Sequence, residues 1–157
     1  MSTRIDYAKV GHDGLSGLYK LEAYVRHSGL EESLVNLVKM RSSQINGCGF
    51  CLDMHSKDAR AAGETEQRLY VLPAWREAPF YTDRERAALE WTEALTLISQ
   101  NDVPDELYER VRAQFSEKEL VDLTLAIAAI NTWNRLSISL RTEVGSYHVG
   151  KYEAQPA

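Results

Sequence analysis

Ser116-Glu-Lys-Glu-Leu-Val-Asp-Leu-Thr-Leu-Ala-Ile-Ala-Ala-Ile-Asn-Thr-Trp-Asn-Arg-Leu-Ser-Ile-Ser-Leu140 carries the strongest fold signal in the chain. It opens with Ser116 and Glu119 at the spacing of a capping box, in which hydroxyl and carboxylate each satisfy a free backbone amide at a helix start. Beyond the box, Leu120, Val121, Leu123, Leu125, Ile127, Ile130, Trp133, Leu136, Ile138 and Leu140 cover nearly the whole circumference of a 3.6-residue helix. The spacing predicts a helix over about 117–142. Such a helix needs partners all round, as the centre of a bundle, as a surface shared with other subunits, or both.

Working outward, the same period recurs and no stretch alternates with period two. Pro104 suits the first turn of a helix running to about Phe115. Thr82-Asp-Arg-Glu85 is a second capping box, and Ala87, Trp91, Ala94 and Ile98 give its helix one apolar face. Leu15, Leu18, Leu21 and Val25 mark a helix near 13–27, stopped by His27-Ser28-Gly29; Leu30, Leu34, Leu37 and Val38 mark another near 31–42. Gln44-Ile-Asn-Gly47 reads as a loop in which Asn46 caps a helix that carries both cysteines and runs to about Ala62, before Gly63 ends it. A short helix near 64–73 then leads into an irregular segment with prolines at 73 and 79. The expectation is an all-α single domain over 1–157, a helical bundle with its core at about 13–142. The tail, 143–157, has no periodicity from Gly145 on and is expected to be mobile or to dock on a neighbour.

Composition narrows the function classes. The 157 residues are 44% hydrophobic and 26% charged, as in an ordinary globular protein. A net charge of −5 with both signs interspersed offers no basic stripe for a phosphate backbone, so no nucleic-acid partner is expected. No apolar run reaches the roughly 18 residues of a membrane span, and Met1-Ser-Thr-Arg-Ile-Asp6 lacks the core of a secretory signal, so no membrane partner and a cytoplasmic location are expected.

In a reducing compartment, cysteines three residues apart point to chemistry or metal binding, because so short a loop removes little chain entropy when cross-linked. On a helix, Cys48, Cys51 and His55 fall within roughly 60° of one another around the axis. The pair can close into a disulfide, and His55 can take or return the proton of Cys51. The helix start lowers the pKa of Cys48 and His55 that of Cys51, so position alone does not say which sulfur attacks. Two other readings compete: buried cysteines serving as small apolar residues, and a zinc site, which would need a distant fourth ligand because His12, His27 and His148 are isolated. A thioredoxin-type motif would follow a strand, and none precedes Cys48.

Arg41-Ser-Ser-Gln-Ile-Asn-Gly-Cys-Gly-Phe-Cys-Leu-Asp-Met-His-Ser-Lys-Asp-Ala59, with Ala129-Ile-Asn-Thr-Trp-Asn-Arg-Leu136, resembles the alkylhydroperoxidase AhpD-like branch of the carboxymuconolactone decarboxylase family. The resemblance spans roughly Leu15 to Arg141. It implies an all-helical AhpD-like bundle, commonly a trimer or hexamer, with the C-x2-C at a helix N-terminus. It further implies a peroxide-reducing dithiol in which Cys51 attacks the peroxide, Cys48 resolves the sulfenic acid and His55 relays protons. No cofactor or metal is implied; the partners are a small hydroperoxide and an external dithiol reductant. The best-studied relatives carry a glutamate twelve residues before the first cysteine, where this chain has Asn36. An amide there can orient a water or the imidazole but brings no negative charge. Asp58, at i+3 from His55, is the candidate carboxylate in its place, with a solvated surface aspartate as the plainer reading. Trp91 and Trp133 read as core.

Three functions follow as expectations: a thiol-dependent hydroperoxide reductase, a non-catalytic oligomeric redox sensor, and a carboxymuconolactone decarboxylase-like enzyme, the last disfavoured because that branch is not built around a cysteine pair.

Overall fold

The computed structural model describes residues 2–152 and is helical throughout, with no strand among them. Eight α-helices follow in order: α1 Tyr7–Val10, α2 His12–Arg26, α3 Glu32–Asn46, α4 Gly49–Ala61, α5 Glu66–Val71, α6 Asp83–Thr96, α7 Asp105–Arg112 and α8 Glu117–Leu140, with a 3₁₀ turn Leu72–Ala74 after α5. Both capping boxes form: Thr82 and Ser116 accept from the amides of Glu85 and Glu119, whose carboxylates return to the cap amides. Each such cap contributes roughly 0.5–2 kcal/mol.

As its all-round apolar pattern requires, α8 is central, packing on α2, α3, α4, α6 and α7; Val121 and Ile138 are the large apolar residues it leaves exposed. Its companion α3 packs on α4, α6 and α8. One apolar cluster fills the space between α3, α6, α7 and α8 around Val38, Ala88, Val111, Leu123 and Ile127. A second, with Leu37, Ala59, Leu72 and Leu89, joins α3 and α4 to α5, the 3₁₀ turn and α6. Glu93 of α6 ties this second region together, accepting hydrogen bonds from Arg41 (2.8 Å), Trp75 (2.8 Å) and Arg76 (2.6 Å). Those donors hold its carboxyl below the usual range against the opposing cost of burial.

The helix expected to stop near residue 42 continues to Asn46. It ends in a Schellman turn: Gly47 adopts φ 71°, Gly47 N–H donates to Gln44 C=O at 3.3 Å and Cys48 N–H to Ser43 C=O at 3.0 Å. Only a residue without a Cβ takes that backbone conformation cheaply. The chain thus reverses within two residues and α4 begins at once. Asn46 is therefore not the cap of α4. Its amide donates to Asn131 (3.0 Å) and Asn134 (2.8 Å) of α8, while Asn134 donates to Ser43 at 3.1 Å. This polar lattice pins the reversal to α8.

The start of the tail also departs from expectation. Instead of standing free, it lies across α4 of its own chain: Gly145 N–H donates to Asp53 at 3.2 Å, Lys57 donates to the Tyr147 carbonyl at 2.9 Å, and Tyr147 is buried. Residues 153–157 of the tail lie outside the described residues.

Candidate active site

The Schellman turn decides where the cysteines go. Cys48 is the residue just past the αL glycine and, at φ −82° and ψ 94°, also the N-cap of α4. Cys51 is then the third residue of the helix. These are the two positions whose side chains meet in a capping box, so the sequence places sulfur where hydroxyl and carboxylate usually sit. Cys51 N–H donates to Cys48 Sγ at 3.4 Å, and the two sulfurs are joined as a disulfide with a Cα–Cα separation of 5.4 Å. The expectation of a C-x2-C at a helix start is met, with Cys48 at the cap rather than on the helix itself.

Cys51, His55 and Ala59 form the buried stripe of α4, one turn apart. Both cysteines are 1% exposed and cluster with Phe50, Ile130 and Tyr147, with Met54 and Trp133 packed against them. The imidazole is buried too. Loss of hydration, together with the Lys39 charge, pushes the pKa of His55 down to about 3, so the ring is neutral at physiological pH.

The other two candidate residues lie further along the helix pair. Asn36 of α3 lines a hollow of about 260 Å³ with Ala59, Ala62, Gly63, Arg68 and Glu85, and its buried Nδ2 has no hydrogen-bond partner among the described residues. It thus stands level with Ala59, a turn past His55. Asp58 is partly buried and accepts the Tyr147 hydroxyl at 2.5 Å, which anchors the tail over the cysteine cluster. Among the described residues, no three His, Cys, Asp or Glu side chains are grouped so as to hold a metal ion.

Relatives fit this architecture. The carboxymuconolactone decarboxylase family profile matches residues 13–94. YdfG of Bacillus subtilis (strain 168) is 47% identical over 146 residues, covering 93% of this chain and 99% of that protein. The chain belongs to the carboxymuconolactone decarboxylase family. Within the family it is AhpD-like: the crystal structure of ATU0492 from Agrobacterium tumefaciens, a protein of unknown function proposed to be the antioxidant defence protein AhpD, superposes with a TM-score of 0.89 at 45% identity, covering 93% of this chain and 100% of that one. The debrominase Bmp8 shares the fold with a TM-score of 0.78 at 19% identity, over 88% of this chain and 74% of its own.

Around the dithiol of this family member stand residues that sequence reasoning passed over. Trp133, expected as core, is only half-buried. It borders the cysteine cluster, faces Tyr19 at 5.4 Å between ring centroids, and donates its indole N–H to Glu22 at 3.0 Å. Glu22 also accepts from Lys39 at 2.6 Å. Trp91 is core as expected, its indole donating to Thr124 at 3.0 Å. No sequence period links Glu22, Lys39 and Trp133. The one signal available was that Lys39 sits a turn beyond Asn36 on the same helix.

Proposed function

We propose that this protein is a thiol-dependent hydroperoxide reductase. The observation that carries the reading is the Cys48–Cys51 disulfide at the head of α4 with a neutral imidazole one turn beyond. In the reduced state, the helix start favours a thiolate in the pair, and the Cys51 sulfur attacks the terminal peroxide oxygen. The O–O bond breaks, Cys51 becomes a sulfenic acid, and the alkoxide leaves as an alcohol after taking a proton. Cys48 then attacks the sulfenic sulfur; the disulfide forms and hydroxide, once protonated, leaves as water. His55 is the candidate proton relay, a neutral imidazole that can accept at one ring nitrogen while it donates from the other. An external dithiol restores the pair, which requires part of the cluster around the sulfurs, such as the segment carrying Tyr147, to yield, since both sulfurs are buried. Assembly as a homo-oligomer and a cytoplasmic setting belong to the same proposal.

Family membership and the cysteine pair support a peroxidase-type role, while the fold itself is shared with a debrominase and so does not choose the substrate. The near-complete burial of both sulfurs favours a second reading, a stoichiometric redox sensor. The test is consumption of an alkyl hydroperoxide with dithiothreitol as donor. Turnover is expected in the parent and lost in Cys51→Ser and Cys48→Ser. Undiminished turnover in both variants would refute the assignment; a single oxidation without turnover in the parent would select the sensor.

A further inference from the structure

A two-residue turn joins α3 to α4, so residues equally far from it on either side stand opposite one another. Asn36 is thereby placed against Ala59, as the shared hollow records, and the same register brings Lys39, one turn earlier in the pairing, to the level of His55, whose pKa its charge helps to lower. Lys39 is 12% exposed and its ammonium is fixed: it donates to Glu22 Oε2 at 2.6 Å, while Trp133 holds the other oxygen of that carboxylate at 3.0 Å. Trp133 in turn packs against the cysteine cluster. The three residues, from α2, α3 and α8, form one half-buried, ion-paired unit beside the cysteine cluster.

We propose that Lys39, held by Glu22 and Trp133, is a positioning residue of the dithiol site: its ammonium favours the anionic form of the Cys51 sulfur once the pair is reduced. This deepens the hydroperoxide-reductase reading and gives the site an electrostatic element one turn along α3 from Asn36. At His55 the Lys39 charge adds to burial, the larger cause, in lowering the pKa of the ring. The remaining groups near the site are otherwise engaged. On α4, Asp53 pairs with Lys57 at 2.8 Å, and Asp58 accepts from Tyr147 of the tail. What α8 brings is the uncharged Trp133.

A fixed positive charge within a few ångströms of a thiol at a partly desolvated site shifts its titration by about one pH unit, a tenfold change in thiolate at fixed pH. The test follows the ultraviolet absorbance of the thiolate in the reduced full-length chain over about pH 5 to 9, with the doubly substituted Cys48→Ser, Cys51→Ser chain as the blank. Lys39→Gln is expected to move the midpoint up. Glu22→Gln, which removes the neutralising carboxylate and leaves the ammonium, is expected to move it down, and Lys39→Arg to leave it in place. A packing role alone cannot produce opposite displacements from two partners of one ion pair. Displacement of both in the same direction, or of neither, overturns the proposal. If Lys39→Gln does not fold, the downward shift in Glu22→Gln still decides. The titration needs no peroxide, so absence of turnover in the parent would sink the reductase reading while leaving this inference to its own result.

Discussion

Acidification should destabilise the protein through His55 in particular. The imidazole titrates near 6.5 when free and at about 3 in the folded chain, where burial and then the Lys39 charge oppose protonation. Between these values the unfolded chain holds a proton that the folded chain refuses. The stability contributed by the neutral ring is therefore complete above 6.5 and is lost progressively as the pH falls toward 3. Integrated from pH 7.5 to pH 5, the loss is about 2 kcal/mol, which corresponds to a fall in Tm of about 4–8 °C for a chain of this length. The assay is thermal unfolding by circular dichroism at both pH values, disulfide intact, on the parent and on His55→Gln, which cannot titrate. Carboxylates and the other histidines contribute equally to both proteins, so the quantity to read is the difference between their pH responses. An acid-induced loss in the variant as large as in the parent, within about 0.5 kcal/mol, would refute a buried neutral imidazole.

Other outcomes follow from the contacts described. Glu93→Ala should cost about 2–4 kcal/mol in denaturant unfolding, because it strands the half-buried Arg41 and the Trp75 indole at once; a cost below about 0.5 kcal/mol would mean that water replaces the carboxylate freely. Ser116→Ala should cost about 0.5–2 kcal/mol by uncapping α8, and an unchanged midpoint would show that packing alone holds that helix start. Tyr147→Ala should let a small phosphine reduce the Cys48–Cys51 disulfide about tenfold faster, since the ring is part of the buried cluster that encloses the disulfide. Equal reduction rates in parent and variant would mean that the tail does not limit access.

What was legible in the sequence is what is local in it. Each capping box places both of its partners within four residues, and both formed; the all-round apolar pattern of α8 stated its need for neighbours before any neighbour was known. Misreadings arose where a distant segment decides. Gln44 to Gly47 looked like a loop because it is polar, yet Asn46 is satisfied by Asn131 and Asn134, more than eighty residues away, so the helix continues through it. The four residues of α1 are too few to show a period. Tail docking runs in part through the Gly145 amide and the Tyr147 carbonyl, which every sequence possesses, and in part through the Tyr147 hydroxyl, whose partner Asp58 is 89 residues away. Glu22, Lys39 and Trp133 meet only because α2, α3 and α8 do.

The site sets opposing effects against each other at one sulfur. Burial among Phe50, Ile130 and Tyr147 raises a thiol pKa, and a thiol left protonated is a poor nucleophile. Two features act the other way: the amide end of α4, fixed by the Schellman turn at Gly47, and the Lys39 ammonium. The first is a property of the backbone and falls off within a turn. It acts on Cys48 as the cap and on Cys51 as the third residue, and so distinguishes weakly between them. The second is local to the His55 side of the cluster, one turn from Cys51. If the helix start alone activated the pair, either sulfur would serve as nucleophile. On the proposed reading, in which one sulfur attacks and the other resolves, the asymmetry comes from side chains: His55 of α4, one turn from Cys51, and Lys39 of α3, which supplies the charge.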